Sequence, residues 1–199
     1  MRWACLVGGR GSNLLALLEA GAGIRLVVSH KAGVGALDIA AAHNVPAVVL
    51  EPAAYATRQA YDAALLDQLR QQRIEALVLA GFLRRVGPEV VEAYRQRAIN
   101  VHPSLLPAFP GLHAIRQALD YGVRVTGVSV HFVDEGLDSG PLIAQEPVDV
   151  LTDDTEASLA ARIQRVEHRL LPLAVAALDD GRLTVAGRRV RWDSERAGA

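Results

Sequence analysis

The stretch Trp3-Ala4-Cys5-Leu6-Val7-Gly8-Gly9-Arg10-Gly11-Ser12-Asn13 reads as a buried strand, a glycine loop and the start of a helix. An unbroken apolar run closed by glycine suits a strand covered on both faces, which lacks the polar alternation of a half-solvated one. Outward from it, short apolar runs recur at 26–29, 47–50, 76–80 and 98–101. Segments 13–20, 35–43, 57–71 and 88–94 between them follow helical spacing. Tyr61, Leu65, Leu66 and Leu69 mark one helical face, and Pro88 suits a first turn. This alternation predicts an α/β fold built on an open, doubly wound, mostly parallel sheet.

After residue 111 the pattern changes. The sequence predicts a helix over 112–120, strands over 125–133 and 141–148, and a long amphipathic helix over 155–178. Thr152 or Asp154 is the expected cap of that helix, and Pro172 is expected to kink or interrupt it. Gly181 should close it, a hairpin over 182–192 should turn at Gly187, and 194–199 should be a mobile tail. One domain over 1–193 is expected, with a nucleotide-binding half near 1–100 and a catalytic half near 101–193.

Composition excludes several functions. The chain has 199 residues and a formal net charge of −1, so no global field draws it to nucleic acid or an anionic membrane. Cys5 is the sole cysteine, which rules out a disulfide framework and predicts a small buried side chain. The apolar run before Gly8 is too short for a secretory signal, and a cytoplasmic protein is expected. The histidines show no metal-ligand spacing, so no metal is expected.

Three stretches are suited to chemistry. In Gly8–Asn13, glycines let backbone N–H groups approach an anion at a helix start. The third glycine of a dinucleotide fingerprint is replaced by Leu14, and Ser29-His30-Lys31 stands where the ribose-binding acid belongs, so a phosphomonoester fits better. Ser12 can also be read simply as a helix cap. In Ala98-Ile-Asn-Val-His-Pro-Ser-Leu-Leu-Pro-Ala-Phe-Pro-Gly111, Asn100 and His102 share one strand face, and three prolines stiffen the loop beyond them. Such a pair is able to hold a carbonyl and move a proton, beyond the carboxyl end of a strand and on the edge where the glycine loop should open. The third, Asp134-Glu-Gly-Leu-Asp-Ser-Gly140, comes after a strand and is able to bring a carboxylate against His102, fixing its ring and favouring its charged form. Asp134, Glu135 and Asp138 are equal candidates on spacing. His131, mid-strand, reads as a core histidine, and His30 and His43 read as surface residues beside turns.

Taken together, Gly-Ser-Asn at 11–13, Leu79-Ala-Gly-Phe-Leu83, Asn100-Val-His-Pro-Ser-Leu-Leu-Pro107 and 129–141 resemble the phosphoribosylglycinamide formyltransferase family, folate-dependent enzymes of purine synthesis. The resemblance implies a Rossmann-like formyltransferase fold and 10-formyltetrahydrofolate as co-substrate. It implies Asn100, His102 and Asp138 as the catalytic trio, with Gly11, Ser12 and Asn13 on the ribonucleotide phosphate. Gln164 and Glu167 would hold the glycinamide end. Leu83, Arg84, Arg85 and Val86 would hold the pterin through backbone groups, with Asn100 also near the folate. Arg58 and Arg84 would pair with the folate's glutamate carboxylates. Asn100 and His102 would stabilise the oxyanion formed when the amine attacks the formyl carbon, worth roughly 3–4 kcal/mol per good donor.

Arg10, Arg85 and Ile115 depart from the family pattern without touching the trio. Related activities sharing the trio logic are a deformylase, a methionyl-tRNA formyltransferase and a sugar-nucleotide formyltransferase. The glycine loop and the chain length favour the first-named family over these. A non-catalytic nucleotide- or folate-binding module is the remaining alternative. The sequence leaves the oligomeric state open, with a homodimer as one candidate.

Overall fold

In a computed structural model that describes residues 1–193, the chain forms two compact units, Met1–Ile99 and the residues from Asn100 onward. The first is built from β1 (Trp3–Val7), α1 (Ser12–Glu19), β2 (Ile24–Ser29), α2 (Gly35–Ala42), β3 (Ala47–Val49), α3 (Arg58–Gln71), β4 (Ala76–Ala80) and α4 (Pro88–Ala93). Its strands run parallel in the order β3-β2-β1-β4. Every residue of β1 and β4 is buried, as their unbroken apolar sequence requires. Trp3, Leu6, Leu14, Leu17, Leu26, Leu65, Leu69 and Leu77 are among the largest fully buried side chains, and each such burial stabilises the fold by about 1.5–3 kcal/mol.

The strand order sets the position of the site. From β1 the chain winds outward to β2 and β3, then crosses back to β4 on the other flank of β1. The order therefore reverses between β1 and β4, and ligands of open α/β sheets bind beyond the carboxyl ends at such a reversal. Val7 pairs with Ala80, so the glycine loop after β1 and the loop after β4 leave the sheet side by side.

The second unit receives β5 (Ala98–His102) and continues through α5 (Ala114–Tyr121), β6 (Val125–Phe132), β7 (Leu142–Asp149), α6 (Glu156–Asp179), β8 (Leu183–Ala186) and β9 (Arg189–Trp192). Strands β6 and β7 are antiparallel, β9 joins β7 in parallel at Leu142, and β8 and β9 form the hairpin, with Gly187 at positive φ. Helix α6 packs on β6, β7 and α5.

Several expectations need correction. Helix α6 is capped by Thr155, whose hydroxyl accepts from Ser158 N–H at 3.2 Å, while the Ser158 hydroxyl accepts from Thr155 N–H at 3.0 Å. Asp154 instead accepts from Leu151 N–H and pairs with Arg162, which holds its carboxyl well below the usual carboxylate range. Of the two outcomes expected at Pro172, interruption does not occur: α6 runs through it, with Leu170, Leu171, Ala174 and Val175 buried on either side. Ser12 is the first residue of α1, and Gly11 takes the cap position with no side-chain cap bond. The expected mobile tail, 194–199, lies outside the described residues.

Candidate active site

At the β1–α1 turn, Gly11 has φ 86°, a conformation glycine adopts without strain. A Cβ there would also lie 2.6 Å from the Ala36 Cα, so side-chain bulk is excluded twice. The first turn of α1 contains no acidic residue. Its N–H groups and the positive end of the helix dipole make an anion-compatible cradle at Gly11, Ser12 and Asn13. His30 is not a simple surface residue. It is half-buried, its Nδ1–H donates to the Val7 carbonyl at 3.2 Å, and its ring meets Phe82 edge-on at 5.1 Å. It thereby joins the end of β1 to the loop after β4. Burial lowers its pKa, keeping it neutral.

In the second unit the structure brings Asn100, His102 and Asp138 together. Strand alternation puts Asn100 and His102 on one face of β5. His102 is 5% exposed, and its Nε2–H donates to the Phe109 carbonyl at 2.8 Å. A carbonyl can only accept, so this bond fixes the proton on Nε2 and turns Nδ1 toward Asp138 Oδ2, 3.4 Å away. A second proton on Nδ1 would complete that contact. Asp138 sits at φ 49° in the acidic loop; its Oδ2 accepts from Gly111 N–H at 2.7 Å, and its Oδ1 lies 3.4 Å from the Asn100 Nδ2. Of the three carboxylates left open by spacing, Asp134 instead closes its own turn, accepting from Gly136 N–H and the Ser139 hydroxyl. The Leu106–Pro107 peptide is cis.

His131 is the buried, hydrogen-bonded core histidine that its mid-strand place suggests, and one of its bonds reaches this cluster. Its Nδ1–H donates to the Phe132 carbonyl at 2.8 Å, which leaves Nε2 as an acceptor facing the Asn100 Nδ2 at 3.1 Å. Burial lowers its pKa, so the ring is neutral and able to accept. The pairing of β6 with β7 passes over Ile143 between the Val130–Ala144 and His131–Leu142 pairs, so the irregularity lies on β7 and β6 keeps its alternation. The Asn100–His131 contact joins residues 31 positions apart, which strand alternation within one segment does not reveal. Both donors, Asn100 and His102, are engaged within the protein. The 3.4 Å contact from Asn100 to Asp138 is the longest of these bonds and the easiest to exchange for a developing oxyanion.

The remaining candidates divide between the units. Gln164 and Glu167 are half-buried and three residues apart on α6, so they share a face. Leu83, Arg84 and Arg85 are exposed in the loop after β4, and Val86 is buried. The Arg84 guanidinium lies 5.4 Å over the Tyr61 ring. Arg58 is turned inward on this loop, donating to the carbonyls of Arg85 and Val86 at 3.2 and 2.8 Å. Cys5 is buried in β1, and burial pushes its thiol up to about 12, which makes it inert. Among the described residues, no group of three or more His, Cys, Asp or Glu is arranged to hold a metal ion, and no helix is long and apolar enough to cross a membrane.

Comparison with known proteins agrees with this geometry. Residues 1–175 match the formyl transferase family model, and the chain belongs to that family. It is 43% identical over 191 residues to a phosphoribosylglycinamide formyltransferase of Mycobacterium tuberculosis, covering 94% of this chain and 89% of that one. It is 43% identical to the Drosophila melanogaster trifunctional purine biosynthetic protein adenosine-3, covering 90% of this chain but only 14% of that longer protein. The crystal structure of glycinamide ribonucleotide transformylase 1 from Symbiobacterium toebii superposes with a TM-score of 0.94 at 43% identity, covering 96% of this chain and 93% of that one. These likenesses carry the α/β, mostly parallel architecture as well as the family.

Proposed function

We propose that the chain transfers the formyl group of 10-formyltetrahydrofolate to the amine of glycinamide ribonucleotide. The products are formylglycinamide ribonucleotide and tetrahydrofolate. The observation that carries this reading is the cluster of Asn100, His102 and Asp138, with His102 buried and the other two half-buried, in a chain so similar to enzymes of that name. In the reaction the amine nitrogen bonds to the formyl carbon, the bond from that carbon to N10 breaks, and a proton passes from the amine to N10.

Each residue then has a physical task. Asn100 donates an N–H to the oxyanion in place of its long contact to Asp138. His131 holds the amide in the orientation that makes this exchange available. His102, backed by Asp138, stabilises negative charge and lies on the route of the proton. Gly11, Ser12 and Asn13 take the ribonucleotide phosphate, Gln164 and Glu167 its glycinamide end, and the backbone of 83–86 the pterin. A cytoplasmic setting and a homodimer belong to the same proposal, the latter tested by sedimentation.

Turnover is the test. Tetrahydrofolate should be released from 10-formyltetrahydrofolate only when glycinamide ribonucleotide is present. No release would overturn the transferase reading, and release without the ribonucleotide would point to a deformylase.

A further inference from the structure

The loop after β4 has no regular secondary structure over 81–87, yet its end is tied to the start of α3 at successive residues. Arg58 Nη2 donates to the carbonyls of Arg85 and Val86, and its Nε lies 3.5 Å from Asp62 Oδ2. Asp62, 3% exposed, accepts from Gly87 N–H, and a Cβ at Gly87 would collide with that carboxylate. Among the described residues Asp62 Oδ1 is buried with no hydrogen-bond partner, an arrangement kept despite its cost. A trans peptide is planar with its C=O and N–H antiparallel. The 86–87 peptide is therefore held at both ends, its carbonyl by Arg58 and its N–H by Asp62. The 85–86 peptide is held by its carbonyl, which turns the Val86 N–H away from Arg58.

We infer that Asp62, acting with Arg58, is a positioning residue that fixes the 85–86 and 86–87 peptide planes and so sets which backbone groups this loop presents to the folate ring system. The inference rests on the proposed folate reading. It gives Arg58 a task distinct from pairing with the glutamate tail, since its donors are directed at the chain's own carbonyls.

The test compares 10-formyltetrahydrofolate with 10-formyltetrahydropteroate, which has the ring system and lacks the glutamate. Asp62→Ala should raise KM about tenfold for both co-substrates alike, with kcat and the ribonucleotide KM changed less than about threefold. Asp62→Asn, which can still accept from Gly87 N–H, should recover part of the loss. Hydrogen exchange at the Gly87 amide should quicken in Asp62→Ala and return toward wild type in Asp62→Asn. Should Asp62→Ala fail to fold, Arg58→Lys replaces it: lysine cannot bridge two carbonyls and a carboxylate, and KM should again rise for both co-substrates. A rise confined to the glutamate-bearing compound, or unchanged KM for both, would overturn the inference. Absence of turnover by the wild-type protein would instead remove the folate reading beneath it.

Discussion

The two units prepare for chemistry by different means. In the first, the candidate site is made of main chain: a positive-φ glycine opens the cradle after β1, and Arg58 and Asp62 turn the peptides after β4. In the second, it is made of side chains that bond one another, with His131 on Asn100, Asn100 on Asp138, and Asp138 beside His102. A backbone cradle recognises shape and charge and has no group to titrate near neutrality. A cluster of imidazoles, a carboxylate and an amide is able to stabilise charge as it develops and to move a proton. The contrast teaches that damage to the main-chain cradle of the first unit should appear in binding and damage to the side-chain cluster of the second in turnover.

The sharpest way to break that division is Asn100→Ala, which removes a donor from the side-chain cluster. Steady-state kinetics should show kcat lower by about 10²–10³ with the ribonucleotide KM little changed. A smaller effect on the same side should come from His131→Leu, which removes the nearer of the two acceptors of the Asn100 amide. We expect kcat to fall about tenfold and His131→Gln, whose amide oxygen can accept, to recover part of it. No loss in His131→Leu would return that residue to the core role read from sequence.

On the backbone side, Gly11→Ala places a Cβ at φ 86° and against Ala36. The ribonucleotide KM should rise about tenfold while kcat at saturation stays within about twofold, and the reverse pattern would contradict the division. The smallest expected effect concerns pH. His131 has a folded pKa below its ordinary value of 6.5, so the unfolded chain binds its proton more readily. Its contribution is therefore unchanged above pH 6.5 and turns destabilising as pH falls from that value toward the folded pKa. Urea titrations of His131→Gln should show a flatter loss of stability on the acid side than wild type.

Much of this was legible in the chain. Buried parallel strands announce themselves as unbroken apolar runs, so β1 and β4 fall where the sequence put them. Asn100 and His102 could be paired from strand alternation, but alternation alone could not choose Asp138 from three neighbouring carboxylates. The contacts of Asp138 with His102, Asn100 and Gly111 make that choice in space, and the family resemblance points to the same residue. His131 is the buried, hydrogen-bonded histidine its mid-strand place suggests, while its bond to Asn100 depends on which distant segments lie side by side and so was not legible. The place of Arg58 was hidden for another reason: an arginine near a loop shows its charge, whereas the carbonyls that take up its donors depend on the path of residues 85–87. At Pro172 the helix continues where local rules allow an interruption, since those rules count a lost hydrogen bond and not the packing that surrounds it.

The most direct test uses one variant and two readouts. In His102→Ala, the single-turnover rate of formyl transfer and the equilibrium binding of glycinamide ribonucleotide are measured on the same preparation. The rate should fall by about 10²–10⁴ while the ribonucleotide Kd stays within about threefold of wild type. A parallel loss of binding and rate, or a rate left intact, would contradict the division between a main-chain cradle that binds and a side-chain cluster that reacts.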